Sequence, residues 1–116
     1  MNDKRYILFA LNGDSMCFIH VMLTAFDMEK RGFDVRVVIE GSATRLIKEL
    51  EDGSPLTELY QRFRKSGLIG CVCKACAAKM GAHEAATRQG LVLCGEMNGH
   101  PSMARYISEG YQIITF

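Results

Sequence analysis

The chain has 116 residues, of which 48% are hydrophobic and 23% charged, with a formal net charge of +1. That length suits one domain with a real core, so residues 1–116 read as a single domain. The near-zero charge excludes a basic footprint for nucleic acid or an anionic membrane and does little to prevent self-association, and no apolar run approaches the roughly 20 residues needed to span a bilayer.

Met1-Asn2-Asp3-Lys4-Arg5 leads directly into Tyr6 to Leu11, which reads as a buried first strand and not as the apolar region of an export signal. A cytoplasmic, reducing setting is therefore expected. Asn12-Gly13-Asp14-Ser15 reads as a turn, with Asp14 or Ser15 capping the next helix. On that helix Phe18, Ile19, Met22, Leu23 and Phe26 recur at helical spacing, and Gly32 ends it. Val35 to Ile39 is the second strand. Ser42 is expected to cap a short helix carrying Ala43, Leu46, Ile47 and Leu50, closed by Gly53. A further helix takes Ser54 as cap and Pro55 as its first residue, with Leu56, Leu59, Tyr60 and Phe63 on one face and Gly67 as stop. Leu68 to Cys73 is the third strand, followed by a helix from about Lys74 to Met80 and another from His83 to Arg88. Leu91 to Cys94 is the fourth strand. Pro101 opens a helix bearing Met103, Ala104 and Ile107, Gly110 ends it, and Tyr111 to Phe116 is the fifth strand.

Alternating strands and helices with crossovers of this length predict an α/β fold: a five-stranded, mostly parallel sheet with helices on both faces. In such a sheet the carboxyl ends of the strands and the starts of the following helices share one edge, where ligands bind. Asn12, Gly13, Cys17, Glu40, Cys71, Cys73, Cys76, Cys94 and His100 all fall at or within a turn of that edge.

The chemistry concentrates in Gly70 to Gly81, where three of the five cysteines occupy six positions. Cys71 and Cys73 share one face of the strand, with Val72 opposite. Cys73 is the last strand residue or the helix cap, and Cys76 lies in the first helical turn. The helix N-terminus and Lys74 are expected to depress the Cys73 thiol pKa most. Cys73 is thus the expected nucleophile and Cys76 the second, with Cys71, Lys74, Cys94 and His100 in support. The odd cysteine count and the reducing setting argue against a closed disulfide framework. Cys73-Lys74-Ala75-Cys76 also has the spacing of a redox dithiol, although Pro55 and Pro101 read as helix-opening residues and leave no matching cis-proline strand. A metal on Cys71, Cys73, Cys76 and Cys94 is a weaker signal than two separated Cys-x-x-Cys pairs, so no metal or other cofactor is assigned. The bland alternative is that these cysteines are small buried hydrophobes.

Other candidates carry less. Asn12 to Ser15 could cradle an anion but lacks a glycine-rich phosphate fingerprint, so a plain turn is the better reading. Cys17 and His20 could pair for nucleophilic catalysis, yet both sit on the first helix. His83 reads as solvent-facing, and Met16, Met22 and Met28 as core filling. Arg62, Arg64 and Lys65 read as a solvated helix end. Asp14, Glu40 and Glu96 form a carboxylate site only if the fold brings them together.

Cys73 followed by an alanine-rich, basic helical turn ending at Gly81 resembles the sulfur-carrying cysteine segment of the DsrE/TusD-like sulfur-relay family. The opening strand, the long first helix and the end Gly110 to Phe116 resemble that family too, so nearly the whole chain is covered. The resemblance implies a DsrEFH-like three-layer α/β/α sandwich and homo- or hetero-oligomers such as dimers, trimers or hexamers. It also implies that Cys73 receives sulfane sulfur from a donor protein as a persulfide and hands it to an acceptor protein's cysteine. Cys71 and Cys76 exceed the single-cysteine pattern and could resolve a persulfide into an internal disulfide. The alternatives are an oligomeric binding or regulatory module holding a small ligand or metal, and a dithiol redox protein.

Overall fold

The computed structural model describes residues 4–116; the reading of Met1 to Asp3 lies outside them. Five strands, β1 (Arg5–Ala10), β2 (Asp34–Ile39), β3 (Ile69–Cys73), β4 (Leu93–Cys94) and β5 (Gln112–Thr115), form one sheet in the order β4-β3-β2-β1-β5. Every pairing is parallel, so the expected mostly parallel sheet is wholly parallel among the described residues. The helices are α1 (Ser15–Lys30), α2 (Arg45–Glu49), α3 (Thr57–Lys65), α4 (Lys74–Lys79), α5 (His83–Arg88) and α6 (Met103–Ser108). Among the described residues, no helix is long and apolar enough to cross a membrane.

A parallel sheet must be covered on both faces, and its central strands then read as unbroken apolar runs. β1 shows this: Ile7, Leu8, Phe9 and Ala10 are all buried. Leu8 and Ala10, with Val35, Val37, Ile39 and Val72, face the larger core, to which α1 to α5 contribute Phe18, Met22, Leu46, Ile47, Tyr60, Phe63, Ala77 and Ala85. Ile7 and Phe9, with Val38 and Cys71, face a smaller cluster completed by Tyr106 of α6. The helices do cover both faces, but unequally: five on one, α6 on the other.

Several boundaries move for identifiable reasons. Asp14 is the cap of α1, accepting from the Met16 N–H at 2.9 Å. Ser42 does not cap a helix, because its Oγ accepts from the Gly13 N–H at 2.9 Å. The chain forms a 3-10 turn over Gly41–Thr44 before α2 begins. Ser54 and Pro55 precede α3 instead of opening it, since the Ser54 Oγ accepts from the Leu56 N–H at 3.1 Å in a local turn. Likewise Ser102, not Pro101, caps α6, its Oγ accepting from the Arg105 N–H at 3.2 Å. Met22 and Met28 are buried as expected, whereas Met16 is 66% exposed.

Candidate functional site

Strand order decides which residues meet. β1 to β4 step outward across the sheet, and β5 lies beyond β1 on the far side. The segment leaving β4 must therefore return over the carboxyl ends of β3 and β2. That return carries His100 across the end of the sheet. A tight turn aims it: Met97 and His100 exchange N–H···O bonds of 2.8 and 2.9 Å. The two residues between them, Asn98 and Gly99, have φ of 51° and 93°. This is the Asn-Gly turn with both central residues left-handed, and the Asn98-Gly99 dipeptide is its readable sequence signal. The Gly99 carbonyl accepts from the Ala75 N–H at 2.9 Å, which docks the turn onto α4.

Cys73 ends β3 and caps α4, and the Cys76 N–H donates to its Sγ at 3.4 Å. Its Sγ lies 3.1 Å from His100 Nδ1 and 3.6 Å from the Gly99 carbonyl oxygen. Cys76 Sγ lies 3.8 Å from the same Nδ1. Glu40, just past the end of β2, places Oε2 3.5 Å from that nitrogen. The ligand-bearing atoms of Glu40, Cys73, Cys76 and His100 all fall within 4.8 Å of one another. Glu40 was legible as a rim residue, but its role beside His100 depends on the return from β4. Its sequence signal is a carboxylate closing a buried strand, followed by Gly41.

Two expectations for the thiols are corrected. Cys71 and Cys94 are joined in a disulfide, with Cα atoms 5.9 Å apart, so neither offers a thiol to Cys73. Parallel pairing of Cys73 with Cys94 sets β4 beside β3 and brings Cys94 to Cys71. One bridge leaves three free cysteines, Cys17, Cys73 and Cys76, which is how an odd count coexists with a disulfide. The second correction concerns acidity. Burial pushes the Cys73 thiol up to about 12, and the neighbouring Cys76 thiol and Glu40 carboxylate act in the same direction. The Cys76 N–H opposes them without prevailing, and Lys74 is exposed. Burial also raises the Glu40 carboxyl, an effect that His100 partly offsets.

The remaining candidates stay apart. Cys17 is half-buried and His20 exposed on α1, with no hydrogen bond joining them among the described residues. His83 is exposed at the start of α5. Asp14 caps α1, Glu40 meets His100 and Glu96 meets Arg105, so the three carboxylates form no common site. A cleft of about 460 Å³ opens beside Asn12 to Ser15, Ser42 and Arg45, away from the thiols. Its polar groups serve each other: Arg45 Nη2 donates to the Gly13 carbonyl at 2.9 Å and Arg45 Nε to Glu49 at 3.1 Å. With the Asp14 carboxylate also on its wall, the segment behaves as a turn and not as an anion cradle.

The sequence model of the DsrE/DsrF-like family matches residues 9–116. The chain belongs to the DsrE/DsrF-like family. This DsrE/DsrF-like chain is 29% identical over 97 residues to an uncharacterized protein of Methanocaldococcus jannaschii, covering 83% of this chain and 77% of that one. It is 31% identical over 61 residues to an uncharacterized protein of Archaeoglobus fulgidus, covering 53% of this chain and all of that one. In structure it is similar, with a TM-score of 0.72 and 15% identity, to a conserved protein of unknown function from Bacteroides thetaiotaomicron, over 100% of this chain and 98% of that one. That likeness establishes the α/β fold. Within the DsrE/DsrF-like framework, this chain sets two free thiols and a carboxylate around one imidazole nitrogen. Such a group can exchange protons with sulfur or hold a cation.

Proposed function

We propose that the chain is a sulfane-sulfur carrier, with the persulfide held on Cys73 and Cys76 as the more accessible thiol of the pair. The observation that carries this reading is the 3.1 Å contact between Cys73 Sγ and His100 Nδ1 at the carboxyl edge of the sheet. A buried thiol is a poor nucleophile until its proton has somewhere to go, and a nucleophile–base contact of this length provides that. Glu40, 3.5 Å from the same nitrogen, favours the imidazolium that results. The Cys73 sulfur then attacks the outer sulfur of a donor persulfide. The donor's S–S bond breaks, its thiolate leaves and takes the proton, and Cys73 carries the added sulfur. Discharge to an acceptor cysteine repeats the exchange in reverse. Alternatively Cys76 attacks the inner sulfur of the Cys73 persulfide, giving a Cys73–Cys76 disulfide and hydrogen sulfide. Membership of a sulfur-relay-related family supports the reading. It calls for donor and acceptor proteins and for a cytoplasmic setting in which Cys73 and Cys76 stay free while the Cys71–Cys94 bridge persists; self-association, checked by sedimentation, belongs to the same proposal.

Incubation with a persulfide donor followed by peptide mass spectrometry tests it. The expected result is one added sulfur on the Cys73 peptide, absent from Cys73→Ser and retained, with slower loading, in Cys76→Ser. A Cys73→Ser variant that loads as well as wild type would sink the assignment.

A further inference from the structure

We infer that Glu40, Cys73, Cys76 and His100 together form a binding site for a borderline-soft divalent cation, with Zn(II) the ion that the donor set selects. Two thiolate sulfurs, an imidazole nitrogen and a carboxylate oxygen are zinc donors, whereas calcium and magnesium take oxygen sets. The spacing fits as well as the chemistry. Metal–ligand bonds of about 2.3 Å to sulfur and about 2.0–2.2 Å to nitrogen and oxygen give a tetrahedron with edges of about 3.3–3.8 Å. The three contacts to His100 Nδ1 are 3.1 Å from Cys73, 3.8 Å from Cys76 and 3.5 Å from Glu40. The three contacts to Nδ1 thus stand close to tetrahedral edge lengths, the other donor pairs lie within 4.8 Å of one another, and side-chain movements toward the ion complete the shell.

Each donor is carried on an ordered backbone segment. Glu40 follows β2 directly, its N–H donating to the Ala10 carbonyl at 2.9 Å. Cys73 ends β3, Cys76 lies in the first turn of α4, and the Asn98-Gly99 turn holds His100. The Cys76 N–H aimed at Cys73 Sγ supports a thiolate there as an outer-shell donor. The His100 side chain is 39% exposed, which leaves a route from solvent to the cluster. The Cys71–Cys94 disulfide removes the other two rim cysteines, so the ligand set is not the all-cysteine one that the spacing alone suggests. Binding releases the two thiol protons to solvent and forms two metal–sulfur bonds, with no change of oxidation state. The inference does not rest on the sulfur-carrier reading: an ion on Cys73 and Cys76 withholds both sulfurs from that chemistry, so the two occupancies exclude each other.

The test uses the full chain stripped with chelator, titrated with Zn(II) against a chromophoric competitor and separately with Co(II). One equivalent per chain is expected, with a thiolate-to-cobalt charge-transfer band and d–d bands of tetrahedral intensity. Cys76→Ser and His100→Gln, both at the solvent-facing side, are each expected to weaken Zn(II) binding by at least about tenfold while leaving the circular dichroism unchanged. Failure to retain Zn(II), a Co(II) spectrum without the thiolate band, or wild-type affinity in both variants would overturn the site. Sulfur loading is measured on the metal-free chain. Zinc binding in a chain that takes up no sulfur supports the site and removes only the carrier reading.

Discussion

Cys73 and Cys76 meet the same imidazole nitrogen, yet Cys73 is 0% exposed and Cys76 is half-buried. Accessibility governs thiol modification along with thiolate character. Alkylation of the native, metal-free chain should therefore modify Cys76 and the half-buried Cys17 before Cys73, and peptide mapping over time reads the order directly. If Cys73 is labelled first, its burial does not control its chemistry. The same burial explains why the position of Cys73 at a strand–helix junction misleads when read alone. A junction suggests an acidified thiol, but one N–H from Cys76 does not offset desolvation and a carboxylate nearby.

At the scale of elements, the return segment between β4 and α6 carries the site. Gly99 has φ of 93°, and a Cβ built there would lie 3.1 Å from the Ala75 Cβ. Gly99→Ala is therefore expected to destabilise the chain by about 1–3 kcal/mol, read from a urea midpoint, because the left-handed turn is strained and its seat on α4 is crowded. An unchanged midpoint would mean the turn is not held as described. The segment is also tied down by Glu96, which accepts from Arg105 Nε at 2.6 Å and from the Ser102 N–H at 3.2 Å. The Arg105 hydrogen bond holds the Glu96 carboxyl below its ordinary value of 4.5, and Arg88 does the same for Glu51. With folded values depressed, the unfolded chain takes up these protons first. The stabilisation is complete above the ordinary carboxylate range and is lost as pH falls through the lower folded values. Both carboxylates are close to solvent, so the effect is small. Urea midpoints between about pH 7 and about pH 3 should fall less steeply for Glu96→Gln than for wild type; equal slopes would remove Glu96 from the account.

At the scale of the molecule, the disulfide between β3 and β4 closes a loop of sequence separation 23 and anchors a two-residue edge strand. Replacing Cys71 and Cys94 together by serine should lower the unfolding free energy by about 2–4 kcal/mol under non-reducing conditions, measured by denaturant. Non-reducing peptide maps should show the Cys71–Cys94 crosslink in the wild type; a map in which both are free would remove it. How much of this was legible varies with the range of the interaction. The α/β alternation, the long first helix capped at Asp14 and the rim positions of Cys73, Cys76, Glu40 and His100 follow from local periodicity, capping chemistry and the polarity of parallel sheets. Ser42 misled as a helix start because its hydroxyl is engaged by Gly13, 29 residues away, whereas Ser54 and Pro101 misled because competing local turns and caps, at Leu56 and at Ser102, share the same signals. Cys71 and Cys94 misled, like Ser42, through a long-range contact, since spacing carries no information on which strands lie side by side.

Hydrophobic period and helix caps are local properties of the chain, so the fold class and the edge at which the reactive residues gather can be read from the residues alone. The grouping within that edge depends on the three-dimensional arrangement of the strands. The strand order β4-β3-β2-β1-β5 forces the chain back across the sheet and lowers His100 between Glu40 and the two free thiols. The pairing of β3 with β4 meanwhile takes Cys71 and Cys94 out of the thiol pool. Strand order arises from long-range burial and pairing, which local sequence does not encode.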